Sequence, residues 1–204
     1  MKLTKSILVV LFISIAFAFK PIDGIQSLEI GSSIPNADKK MADVKGKMVS
    51  INDVMEKKGV LVMFSCNTCP YVIKTQSRTK ELISFTKKNK IGMIIINSNE
   101  AKRDTDDSME AMKKYSKSQG YSCAYVVDEN SSMADAFGAT RTPEVFLFDN
   151  NGKLVYKGAI DDNHSEPKNV TDKFLQKAIT AVANGQKVNP ESTKSVGCSI
   201  KRKS

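Results

Sequence analysis

Prolines and glycines are scarce in this chain, 6 and 11 among 204 residues, which argues against disorder through its middle. Histidine is scarcer still. His164 is the single one. No internal repeat is visible. The apolar run Ile7 to Ala16 is short for a membrane span, and no cysteine follows it that could carry a lipid. The formal charge is +9, but the lysines are scattered and not interleaved with aromatics, which argues for a solvated basic surface and against a nucleic-acid interface. The closing Lys201-Arg-Lys203 gives only a weak signal for an acidic membrane surface.

What is present is a leader, an ordinary core and four cysteines. Met1 to Lys5 is basic, the apolar run follows, and Ala16-Phe17-Ala18 fits a small-x-small cleavage pattern. Residues 1–18 therefore read as a signal peptide and place the folded part in a periplasmic or other extracytoplasmic space; an uncleaved anchor is the alternative. With 41% hydrophobic residues, the remaining chain suits one domain over 19–188, followed by an irregular tail, 189–204, that carries Cys198. No stable membrane insertion is expected.

An oxidising compartment suits disulfides. Cys66 and Cys69, only three apart, close too small a loop to staple a fold, so they read as redox-active or metal-binding. The apolar run Gly59 to Phe64 reads as a buried strand that breaks at Ser65. Pro70 then suits a first helical position, with the helix running to about Lys88. That makes Cys69 the N-cap, where free N–H groups and the helix dipole favour a thiolate.

A hairpin over Val44–Ile51 with a turn at Lys45-Gly46 precedes a short helix capped by Asn52. After the long helix come strand Ile91–Asn97, a helix capped within Asp104–Ser108 and stopped by Gly120, strand Cys123–Val127 and a short helix to Phe137. Thr142-Pro143, a strand to Asp149, a turn at Asn150-Asn-Gly152, a returning strand and a helix over about Val170–Ala183 complete the order. The expected class is α/β, a central mixed sheet flanked by helices with an N-terminal β-hairpin extension.

This order, with a cysteine at the first long helix and Thr142-Pro143 ahead of a hairpin, resembles the thioredoxin fold over roughly Gly31 to Ala183. Cys66-Asn-Thr-Cys-Pro-Tyr-Val72, Thr140-Arg-Thr-Pro-Glu-Val-Phe146, Gly158-Ala-Ile-Asp-Asp-Asn163 and Gly197-Cys-Ser-Ile-Lys201 are similar to an exported, peroxiredoxin-like redoxin group of the alkyl hydroperoxide reductase and thiol-specific antioxidant type. The tail departs from that pattern at Arg202, where an aromatic residue would be expected.

The resemblance implies that Pro143 is a cis proline facing the reactive sulfur and that the Thr142 backbone pairs with an extended substrate. It also places the reactive cysteine five residues beyond Phe64, at Cys69, whereas a plain thioredoxin reading of Cys66-x-x-Cys69 would make Cys66 the nucleophile. Cys69-Pro-Tyr-Val72 is similar to a glutaredoxin Cys-Pro-Tyr-Cys that has lost its second cysteine. Cys66 is then the expected resolving partner, closing a Cys66–Cys69 bond; Cys198, in the tail, is a possible resolving thiol or else a free or structurally bridged cysteine.

The Thr or Ser that peroxiredoxins place three residues before their cysteine is missing, because Cys66 stands there. Arg141 precedes the strand and does not match the peroxide-polarising arginine. The buried carboxylate of thioredoxins is replaced by Met63. Cys123, opening an apolar strand, reads as core.

The expected activity is thiol–disulfide exchange with an antioxidant character, without a cofactor, acting on protein thiols or disulfides and reset by a redox partner. The alternatives are a thiol peroxidase and a copper-binding assembly factor of Sco type using Cys66, Cys69 and His164.

Overall fold

The computed structural model describes residues 25–203. The leader expected over residues 1–18 lies outside the described residues. A small hairpin, β1 (Met41–Ala42) and β2 (Met48–Val49), leads into a one-turn helix α1 (Ile51–Val54). Then follow β3 (Gly59–Ser65), α2 (Pro70–Lys88), β4 (Gly92–Asn97), α3 (Met109–Gln119), β5 (Ala124–Val127) and α4 (Ser132–Phe137). The chain closes with β6 (Arg141–Thr142), β7 (Glu144–Asp149), β8 (Leu154–Gly158), α5 (Phe174–Ala183) and β9 (Cys198–Ser199).

Five strands form one mixed sheet in the order β5-β4-β3-β7-β8. The β3, β4 and β5 strands run parallel, and β7 and β8 are antiparallel on the other side. Every residue of β3 and β4 is buried, which is what continuous apolar runs in the middle of a doubly covered sheet require. Alternation along β3 feeds two cores. Leu61 and Met63 face α2, α3 and α5 with Leu82, Met112 and Ile179; Val60, Val62 and Phe64 face the other side with Ile51 and Phe137. On that second face Phe64, Phe137 and Phe146 meet edge-to-face at ring separations of 5.3 to 5.8 Å.

Three local expectations are corrected. The cap of α1 is Ser50, not Asn52. Ser50 and Asp53 form a reciprocal capping box, while the Asn52 amide donates to Asp38. The last helix starts at Phe174, not near Val170, because the Asp162 carboxylate accepts from the backbone N–H and hydroxyl of Thr171 and holds that stretch as a loop.

The third correction concerns the segment after Asn189, which is not irregular. The N–H of Thr193 donates to Lys157 O, β9 pairs antiparallel with β6, and Ile200 is buried against Met41 and Phe137. Local pattern could not show this, since every partner is distant in sequence.

Candidate active site

The site forms where β3 ends and α2 begins. Cys69 is the N-cap of α2, with Pro70 following it in the first turn, and its extended backbone makes no side-chain cap hydrogen bond. The leading N–H groups of the helix therefore lack the side-chain acceptor that a Ser or Asp cap would provide, and in the reduced protein the Cys69 sulfur is the group placed to take that role.

In the structure that sulfur is bonded to Cys198, with the two Cα atoms 6.2 Å apart and 129 positions between them in sequence. Strand pairing explains the match: β9 runs antiparallel to β6 with Cys198 opposite Thr142. The Thr142–Pro143 peptide is cis. Cys69 Sγ lies 3.3 Å from the Thr142 carbonyl oxygen and is almost fully covered.

The expected Cys66–Cys69 bond is therefore not the one formed. Cys66 is a free thiol, 1% exposed, with its sulfur 3.6 Å from the Thr142 hydroxyl. Burial pushes this thiol up from its ordinary range, against a smaller downward pull from the Thr142 hydroxyl, and the nearby Asp107 charge adds to the rise. Cys198 is delivered to Cys69 by the paired strand, whereas Cys66 stays a poorly ionised neighbour.

A buried polar network under this loop was not foreseen. Asp107 is fully buried and accepts from the Asn67 N–H at 2.9 Å, the Asn97 amide at 2.7 Å and the Asn99 amide at 2.9 Å. The Tyr125 hydroxyl donates to Asn67 Oδ1 at 2.8 Å, and burial holds its own pKa well above the ordinary phenol range. Asn99 also accepts the Lys201 N–H at 2.9 Å, which ties the strand after Cys198 to the same network. Met63, at the position of the thioredoxin-type carboxylate, is apolar core; the carboxylate near Cys66 comes instead from the turn before α3. The available signal was the polar Asn97-Ser-Asn99 run at the end of a buried strand, since sites in α/β sheets gather at the carboxyl ends of parallel strands.

The remaining candidates take no part in the disulfide. Arg141 is exposed, and its guanidinium is 3.5 Å from the Gly197 carbonyl. Cys123 is a free, half-buried thiol packed against the core. His164 sits against Tyr71 at a ring separation of 5.3 Å, and among the described residues no three His, Cys, Asp or Glu side chains form a group that could hold a metal ion. A pocket of about 420 Å³ opens beside Pro143, lined in part by Thr75, Ile160, His164, Phe174 and Val196.

Residues 29–174 match the Redoxin family model, which spans β3, α2, Cys69 and the cis proline. The chain belongs to the Redoxin family. An uncharacterised conserved protein from Geobacillus kaustophilus is 34% identical with a TM-score of 0.78, over 86% of this chain and 93% of that one. A hypothetical protein from Sinorhizobium meliloti is 29% identical with a TM-score of 0.80, over 88% of this redoxin and 97% of that chain. The thiol-disulfide oxidoreductase ResA of Bacillus cereus is 24% identical over 132 residues, 65% of this redoxin and 70% of ResA.

Proposed function

We propose that this redoxin is an extracytoplasmic thiol–disulfide oxidoreductase in which Cys69 is the nucleophile and Cys198 the resolving thiol. One observation carries the reading: a helix-capping cysteine beside a cis proline, joined to a second cysteine that a paired strand brings to it. The ResA relative supports the reaction class, and the basic-apolar leader ending at Ala18 supports export.

In the reducing direction the Cys69 thiolate attacks one sulfur of a substrate disulfide. The substrate S–S bond breaks, a mixed disulfide forms and one substrate thiolate leaves. The Cys198 thiolate then attacks Cys69 Sγ, releasing the second substrate thiolate and forming the Cys69–Cys198 bond. Two electrons pass from the dithiol to the substrate, and an external dithiol restores the enzyme. The reverse sequence oxidises a substrate dithiol. An antioxidant role follows as maintenance of protein thiols.

Peroxide reduction has less support, because Cys66 stands where a peroxiredoxin hydroxyl would. The copper reading has less support too, because the Cys69 sulfur is already bonded to Cys198.

A Cys69→Ser protein is expected to lose reduction of a protein disulfide down to the uncatalysed background, while Cys66→Ser keeps most of it. Turnover assayed with a dithiol donor checks this. Full activity of Cys69→Ser would remove the nucleophile from this account.

A further inference from the structure

The β6 strand pairs with β9 and with no other strand among the described residues. The short bridge of residues 194–199 thus occupies the backbone edge of β6, whose Thr142 carbonyl lies 3.3 Å from Cys69 Sγ. It is held at both ends. On one side Thr193 Oγ1 accepts from the Ala159 N–H at 3.0 Å and lies 2.7 Å from the Tyr156 hydroxyl. On the other, Ile200 is buried, the Ile200 N–H donates to Thr140 O at 3.0 Å, and Arg202 is hydrogen-bonded to Asp135 and Ala139 O. Between these anchors the bridge is held by its pairing with β6 and by the Ser195 hydroxyl, which donates to Glu144 at 3.1 Å.

The approach at this edge leaves no room for a side chain one residue before the cysteine. A Cβ on Gly197 would lie 2.2 Å from the Thr142 carbonyl oxygen and 2.7 Å from its carbon. Both are backbone atoms of the β6 turn, so neither can swing away as a side-chain end would. The reason for glycine is space and not conformation, because Gly197 is absent from the residues with positive φ. The Gly197 carbonyl faces the Arg141 guanidinium, a contact to backbone that any chain in this position would share.

We propose that the β6 edge selects extended protein segments with glycine immediately before the reacting cysteine, and that β9 is a tethered occupant of the same edge. This rests on Cys69 being the nucleophile and names the substrate class for it. A substrate segment and β9 exclude each other. Substrate binding lifts residues 194–199; resolution returns them, so the Cys198 thiolate attacks Cys69 Sγ as β9 displaces the substrate strand, and the substrate leaves as a thiolate. Product release is then driven by re-pairing of the chain's own strand.

The test uses the full-length Cys198→Ser protein, reduced, with two synthetic heptapeptides. One has the sequence of residues 195–201, Ser-Val-Gly-Cys-Ser-Ile-Lys, and the other has alanine in place of the glycine; each carries its cysteine as a mixed disulfide with nitrothiobenzoate. Release of the yellow nitrothiobenzoate thiolate reports attack by Cys69, and both peptides meet the same competition from the tethered strand. The glycine peptide is expected to react at least about tenfold faster, the scale on which a forced overlap with fixed backbone is felt.

Equal rates, or a faster alanine peptide, would overturn the selection while leaving Cys69 as nucleophile. Fast reaction with Ellman's reagent but none with either peptide would overturn it as well. If neither the peptides nor Ellman's reagent react at Cys69 faster than with free cysteine, the underlying assignment of the nucleophile fails together with it.

Discussion

Replacing Cys198 with serine is expected to leave the protein trapped on its substrate, with a mixed disulfide on Cys69 that persists roughly 100-fold longer than in the native chain. The magnitude follows from tethering. A resolving thiol anchored on both sides acts at an effective concentration that a free thiol does not reach, and such linkage is worth about 100-fold to 10,000-fold. Ile200 and Thr193 supply the anchors, and the pairing of Cys198 with Thr142 supplies the alignment.

Cys66 is not expected to substitute. Burial pushes its thiol up from the ordinary range, and the attacking species in exchange is the thiolate. Non-reducing electrophoresis after acid quenching, on Cys198→Ser and Cys66→Ser side by side, separates the two roles. Accumulation in Cys66→Ser and not in Cys198→Ser would reverse them.

The second large effect is on stability. Asp107→Ala is expected to lower the free energy of unfolding by about 3–5 kcal/mol. The carboxylate is the acceptor for the Asn67 N–H and for the Asn97 and Asn99 amides, all in buried surroundings. Leaving a buried donor without a partner costs roughly 1–3 kcal/mol, and three donors would be affected, with partial relief as water enters the space. Urea unfolding of the reduced protein, which removes the contribution of the Cys69–Cys198 bond, measures the change directly. A loss below about 1 kcal/mol would mean that water replaces the carboxylate with little penalty.

The same substitution should loosen the link between Asn67, which lies between Cys66 and Cys69, and Asn99, which holds Lys201 just after β9. Stability and disulfide closure would then fall together.

These two effects also show where the sequence was informative. The buried strands Gly59–Ser65 and Gly92–Asn97, the helix opening at Pro70 and the Gly120 stop were legible, since each depends on local apolar periodicity or on a cap within a few residues. The N-cap position of Cys69 was legible for the same reason. Cys198 was legible as a possible resolving thiol for Cys69 but not as the one favoured over Cys66, because β6–β9 pairing spans more than 50 residues of chain and has no local signature. Asp107 was hidden by its company: in Asp104-Thr-Asp-Asp107 it looked like one of several helix caps, and Ser108 turned out to be the cap. A carboxylate that serves distant amides differs from a capping one only by its tertiary partners. Asn97 and Asn99 make those partners after a parallel strand has carried them to the edge of the site.

Peptide mapping of the oxidised protein under non-reducing conditions reads the Cys69–Cys198 bond directly. Trypsin leaves Cys66 and Cys69 together in the peptide 59–74 and isolates Cys198 in 195–201. The account predicts that 59–74 is recovered joined to 195–201, with Cys66 in that product still open to alkylation. Recovery of 195–201 as a free thiol, with 59–74 unjoined and carrying an internal Cys66–Cys69 disulfide, would contradict it.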